Sequence, residues 1–268
     1  MVMLNNGLDL LTKQQLDEIR SRLRLTKVNV LLVGGTGVGK SSTINALFQS
    51  AGLDVQAKVG ETSRPETMDI NQYKLGDNLV VWDSPGLGDS REKDIDHKES
   101  IKKLLFKKDA RGVPLVDLVF LILDGSSRDF SSVYTLLKDV IIPSLDHNEK
   151  DRILIGINKA DQAMSGHFWD RTKNRPEEKL TKFLEDQSEE VKRRINGLDP
   201  DLNVDPIFYS AGYTFDGELI SRPYNLEKLL SYIMLCLPRK KRAVVSEYIN
   251  ESSLKNSFHL YHAGFPAI

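Results

Sequence analysis

Residues 34–41 read GGTGVGKS and lie between the β-branched run VNVLLVG (28–34) and the helical pattern SSTINALFQS (41–50). No other stretch limits the fold of this chain so closely. Glycines at 34, 35, 37 and 39 let the backbone wrap tightly enough for several N–H groups to converge on one anion. The helix behind the loop adds the partial positive charge of its first turn. The spacing is G-x-x-x-x-G-K-[ST], and a strand before and a helix after are the context that a phosphate-binding loop requires. A glycine-rich turn without a ligand is the bland alternative, and that context disfavours it. The predicted cradle is Gly35, Thr36, Gly37, Val38 and Gly39, followed by Lys40, Ser41 and Ser42.

The rest of the chain continues the alternation. Further strand-like runs are LVVWD (79–83), LVDLVFLILD (115–124), RILIGIN (152–158) and DPIFYS (205–210). DINQYKL (69–75) reads as the antiparallel partner of LVVWD, with the turn at Gly76–Asp77–Asn78. Helical patterns fall at about 8–24, 92–108, 131–142, 175–195 and 225–237. Strands alternating with helices predict an α/β fold whose mostly parallel sheet is covered on both faces. We divide the chain into an N-terminal helical extension (1–25), in which Thr12 and Gln15 suit a capping box, a main domain (26–238) and a basic C-terminal extension (239–268) that opens with RKKR. The charged stretch at about 166–204 reads as a helical insertion.

Bulk properties narrow the classes. A net charge of −1 gives no global footprint for nucleic acid or an anionic membrane. A single cysteine, Cys236, excludes an intramolecular disulfide and a Cys-rich zinc site, and its place in IMLCL reads as core packing. No apolar run approaches the roughly 20 residues that cross a bilayer, and the N-terminus does not read as a signal peptide. The expected location is cytoplasmic.

Three further segments give the cradle its chemistry. Lys40 is placed to reach the β and γ phosphates, Ser41 to ligate Mg²⁺ and Ser42 to contact the α-phosphate. In WDSPGLGD (82–89), Asp83 ends a strand at the same sheet edge and is placed to hold Mg²⁺, directly or through a water. Gly86 offers its N–H to a γ-phosphate. NKAD (158–161) selects the base. The Asp161 carboxylate accepts from guanine N1–H and the exocyclic amine, a donor pair that adenine lacks, so adenine would leave it unpaired. Asn158 fixes the loop, and the Lys159 stem lies over the ring face. Ser210 and Ala211 of SAG (210–212) follow the last strand, where backbone can meet the guanine carbonyl. The predicted ligands are therefore GTP and GDP.

In this order the motifs resemble those of translation-factor-class P-loop GTPases over about residues 26–238. GGTGVGKSSTINALFQ, DSPGLGD and PYNLEKLLSYI look most like Era-like GTPases of the YfjP/YeeP type, with secondary similarity to immunity-related and septin-like GTPases. The resemblance implies a six-stranded sheet with one antiparallel strand. It also implies a switch threonine that closes on Mg²⁺, for which Thr67 matches best and Thr62 second. Leu87 stands where many relatives carry a water-orienting glutamine, and Gly37 stands where potassium-activated relatives carry asparagine.

These features predict slow hydrolysis of GTP by a molecular switch, with catalysis leaning on Lys40, Gly86, Thr67 and Mg²⁺. Arg64 is either a cation supplied in cis or across a dimer, or a solvated loop charge. Asp89, Arg91, Asp94 and His97 read mainly as surface charges. The competing expectations are an assembly GTPase activated by nucleotide-dependent homodimerisation and a nucleotide-binding module without turnover. The partners that follow by analogy are a homodimer, ribosomal RNA or a protein effector. Membrane contact through RKKR is a further option beside the commoner one, a solvated helix end.

Overall fold

The computed structural model describes residues 26–50, 70–75, 78–87, 91–110, 112–215 and 218–242. Its centre is β1 (Val28–Gly34), buried along all seven residues because strands flank it on both sides and helices cover both faces. Parallel neighbours are β3 (Leu79–Asp83) and β4 (Leu118–Asp124). Beyond β4 lie β5 (Ile153–Asn158) and the two-residue β8 (Ile207–Phe208), also parallel. The other edge is β2 (Asn71–Leu75), the antiparallel partner of β3. The order β2-β3-β1-β4-β5-β8 is the expected six-stranded, mostly parallel sheet.

The two-residue period of β1 divides the core. Val28, Val30 and Leu32 face α1 (Lys40–Ser50) and the last helix, α5 (Leu226–Cys236), which contribute Ile44, Leu47, Leu229 and Ile233. Leu31 and Val33 face α2 (Arg91–Leu105), α3 (Ser131–Leu136) and α4 (Glu178–Leu198). The helical pattern at 131–142 is α-helical only to Leu136. It then widens into π turns over Leu137–Ile141, which keep Leu137, Val140 and Ile141 buried, and ends in a 3₁₀ turn that contains Pro143.

The charged stretch expected as an insertion is partly core. In α4, Leu180, Leu184, Val191 and Ile195 form one buried stripe, and the last two pack with the sheet strands. The charges occupy the remaining faces, so high overall polarity concealed a layer helix. Two ribbons lie outside the main sheet: β6 (Trp169–Asp170) with β7 (Arg175–Pro176), and β9 (Tyr213–Phe215) with β10 (Glu218–Ser221).

The RKKR run fastens the segment that follows α5 to the start of β1 and β4. Lys241 Nζ donates to Asp117 Oδ2 and to the Lys27 carbonyl, both at 2.8 Å, and forms an ion pair with Asp117 Oδ1 at 2.8 Å. Arg242 donates to the Leu235 and Leu237 carbonyls at the end of α5. The 8–24 helix and its Thr12–Gln15 cap lie outside the described residues, as do Thr62, Arg64, Thr67, Asp89 and the tail from 243.

Candidate nucleotide site

The strand order brings the loops after β1, β3, β4, β5 and β8 to one edge of the sheet. After β1 the chain turns through the cradle, with positive φ at Gly37 and Gly39, and enters α1 at Lys40. Lys40 is buried at 8% exposure and donates to the Gly34 and Gly35 carbonyls at 3.3 and 3.1 Å. Thr43, one turn on, donates to the Gly39 carbonyl at 2.7 Å and pairs with the Tyr209 hydroxyl at 2.8 Å. Tyr209 is fully buried, its hydroxyl pKa raised by burial, so it ties α1 to the strand that leads into Ser210.

Ser41 and Asp83 converge although 42 residues separate them: the Ser41 hydroxyl donates to Asp83 Oδ2 at 3.0 Å. Asp83 is almost wholly buried. Burial pushes its pKa up, opposed by the positive charge of Lys40 and the Ser41 hydrogen bond. Its Oδ1 has no hydrogen-bond partner among the described residues. A buried carboxylate oxygen left bare beside a hydroxyl, with an ammonium nearby, fits a hard divalent cation such as Mg²⁺.

The segment after Asp83 lies along the cradle. Leu87 donates its N–H to the Gly34 carbonyl at 3.3 Å, and its carbonyl accepts from the Thr36 N–H at 2.9 Å, forming a parallel bridge with Gly35. Gly86 meets Thr36 so closely that a Cβ there would stand 2.3 Å from Thr36 Oγ1 and 2.6 Å from its Cα. The Leu87 side chain is 3% exposed and packs into the apolar cluster of Leu31 and Val33. His97 differs from the expected surface charge. It is buried on α2, with Nδ1 3.2 Å from the Gly86 carbonyl, because helical geometry turns position 97 inward while Ile95 and Asp96 remain exposed. Of the other residues grouped with it, Asp94 is part-exposed.

At the other side of the site Asn158 acts as a latch. It is 2% exposed, donates from Nδ2 to the Val38 carbonyl at 2.9 Å and accepts the Ala211 N–H at 2.9 Å. A Cβ on Gly39 would lie 2.3 Å from Asn158 Nδ2, so glycine is required there on space as well as φ. One amide thus joins the cradle, β5 and the SAG loop. Lys159, in a left-handed conformation, pairs with Asp124 at 2.6 Å. Asp124 ends β4 in register with Asn158.

Asp161 accepts from the Ser210 hydroxyl at 2.6 Å on Oδ1 and from the Ser221 hydroxyl at 2.5 Å on Oδ2. The Gly212 N–H bonds Ser210 Oγ at 3.2 Å, so both amides after Ser210 are engaged by side chains of the site. Ser42, at the start of α1, is part-exposed. Asp124, Thr43, His97 and Ser221 escaped the sequence reading as site residues. Only Ser221 had a local signal: Asp216–Gly217 between YTF and ELIS is a hairpin turn pattern.

Known proteins similar to this chain share its fold or parts of its sequence. The family described as 50S ribosome-binding GTPase matches residues 29–159. GTP-binding protein A of Dictyostelium discoideum is 34% identical over 95 residues, covering 34% of this chain and 20% of that protein. Septin-8 of Homo sapiens is 34% identical over 73 residues, covering 26% of this chain and 15% of that protein. The chain spans a fifth or less of the length of these curated relatives. Toc33 from Arabidopsis thaliana, solved with Mg²⁺ and GMPPNP, is similar in fold alone, with 16% identity and a TM-score of 0.51 over 89% of this chain and 93% of that one. The six-stranded sheet and this match over residues 29–159 give the chain the fold of a P-loop GTPase G domain.

Proposed function

We propose that the chain is a Mg²⁺-dependent GTPase that turns over slowly by itself and acts as a switch. The observation that carries this reading is Leu87: its side chain is buried in the core, so the Asp-x-x-Gly segment offers no side chain at that position to orient a water. Its motifs support membership of the Era-like YfjP/YeeP type, and the single cysteine suits a reducing, cytoplasmic compartment. No helix among the described residues is long and apolar enough to cross a membrane.

In this reading Ser41, Asp83 and the switch threonine Thr67 would hold Mg²⁺. When bound, the ion neutralises charge on the β and γ phosphate oxygens. Lys40 exchanges its carbonyl contacts for those oxygens. The N–H groups of Gly35, Thr36, Gly37, Val38 and Gly39 line the phosphates, and Ser42 meets the α-phosphate. Gly86 donates its N–H to the γ-phosphate. Asn158 keeps the base loops aligned, the Lys159 stem and Ala211 border the guanine, and Asp161, supported by Ser210, reads its N1–H and amine. Preorganised donors stabilise charge as it spreads over the γ-phosphoryl group, while nothing in this set fixes the attacking water.

A second reading is an assembly GTPase completed by a second copy, with Arg64 supplied in trans. Septin-8 similarity and the Toc33-like fold favour it, since dimerisation is important for the GTPase activity of the chloroplast translocon components atToc33 and psToc159. Among the partners expected by analogy for the switch, ribosomal RNA or a protein effector, the family description favours the ribosome. The engagement of Lys241 and Arg242 within the fold argues against membrane contact by that run. The test is GTP hydrolysis per molecule with Mg²⁺ over a wide range of protein concentration. A slow, flat rate supports the switch. A specific rate that climbs with concentration supports assembly, and no turnover at any concentration rejects both.

A further inference from the structure

We infer that Ser221, at the end of the accessory hairpin β9–β10, is a specificity-positioning residue that sets the Asp161 carboxylate for guanine. The inference rests on the guanine reading above and deepens it.

A carboxylate has two oxygens with about four acceptor sites, and it rotates about its last bond unless something holds it. Asp161 is held on both oxygens, by Ser210 on Oδ1 and by Ser221 on Oδ2. Each hydroxyl uses one acceptor site per oxygen, so each oxygen keeps another for a donor on the base. Guanine presents two parallel donors that match the two oxygens of one planar carboxylate. Fixing that plane is what makes both bonds available together, and the gain appears in the contrast between bases rather than in phosphate binding.

The two clamps differ in origin. Ser210 belongs to the loop after β8 and is bound to Tyr224 backbone on either side of its peptide. Ser221 arrives by way of the hairpin, opposite Tyr213 in the β9–β10 register. Its position is set by its neighbours: Arg222 donates to the Arg171 and Thr172 carbonyls at 2.7 and 3.0 Å, and Asn174 donates to the Pro223 carbonyl at 2.8 Å. The β6–β7 ribbon therefore braces the strand end that carries Ser221. Asp161 and Ser221 open onto a cavity of about 620 Å³ bordered by Trp169, Leu219 and Arg222. One ribbon thus supplies the hydroxyl on Asp161 Oδ2, and the other braces the strand end that carries it.

The test uses the full chain and its Ser221→Ala and Ser221→Thr variants, each with thermal melts, and measures affinities for GDP, IDP and ADP with Mg²⁺ by calorimetry. IDP lacks the exocyclic amine, so the GDP-to-IDP ratio reports the second base contact. We expect Ser221→Ala to weaken GDP about tenfold, the loss of one hydrogen bond to a charged group. The GDP-to-IDP ratio should fall by at least about threefold, with both effects largely restored in Ser221→Thr. Equal weakening of GDP and IDP would mean only structural support and would overturn the inference. So would unchanged binding, or tighter GDP binding in Ser221→Ala, which would mean that the hydroxyl competes with the base. If the unmodified chain fails to prefer GDP to ADP, the guanine reading falls and takes this inference with it.

Discussion

At the scale of single residues, close approach decides more than chemical type. Gly86 and Thr36 touch so tightly that one added carbon must displace backbone. Gly86→Ala should therefore lower GTP hydrolysis by at least about tenfold, because it moves an N–H aimed at developing charge. GDP affinity should fall as well, because the displaced Thr36 backbone belongs to the cradle proposed to line the phosphates; single-turnover kinetics beside GDP titration checks both. Cys236 makes a different prediction. Burial, with Asp151 and Asp205 as further upward influences and Arg242 opposing, pushes its thiol up from 9.0 to about 11. Below pH 9 the thiol is neutral in both states. As pH rises from 9 towards about 11 the unfolded chain ionises first, so the native state loses stability. Denaturant titrations across that range should show the loss, and Cys236→Ala should reduce it.

At the scale of elements, the segment after α5 is fastened by charge. Asp117 precedes β4, is buried, and accepts the Asn29 N–H at 2.9 Å as well as the Lys241 ammonium. Burial raises its pKa, with the Lys241 and Asn29 hydrogen bonds working against that rise. Asn29 in turn accepts from Trp82 Nε1 at 3.1 Å, so the latch reaches the strand that ends in Asp83. Lys241→Met should cost about 3 kcal/mol, the penalty for leaving a buried carboxylate without its cation. The double variant Lys241→Met, Asp117→Asn should recover part of it, and chemical denaturation of the three proteins measures the coupling. Strand β4 also begins three residues later than the apolar run LVDLVFLILD suggests, because Asp117 bonds β1 through its side chain as well as its backbone.

For the whole molecule, the proposed nucleotide site draws on five loops from distant parts of the chain that the folded sheet brings to one edge. Ligand binding and global stability are therefore linked. At a GDP concentration near a hundred times its Kd, with Mg²⁺, the gain should be about 2.7 kcal/mol, a rise in Tm on the order of 5–10 °C. ADP at the same concentration should give far less, and differential scanning calorimetry with both nucleotides would settle it.

The order of strands and helices and the composition of the cradle were legible in the amino-acid sequence, because both are local. The period of VNVLLVG and LVVWD, the glycine spacing of GGTGVGKS and the strand-ending positions of Asp83 and Asn158 depend on neighbours a few residues apart. The sequence by itself also determined that phosphate and guanine were the chemistry to look for. The tertiary structure alone decided which side chains serve each other: Asn158 with Val38 and Ala211, Tyr209 with Thr43, Ser221 with Asp161, Lys241 with Asp117. It also decided that Leu87 and His97 are buried and that the charged helix Glu178–Leu198 is a layer of the core. Val38 and Asn158 stand 120 positions apart, and Thr43 and Tyr209 stand 166 apart. No local pattern encodes such a contact; only the folded sheet brings its two ends together.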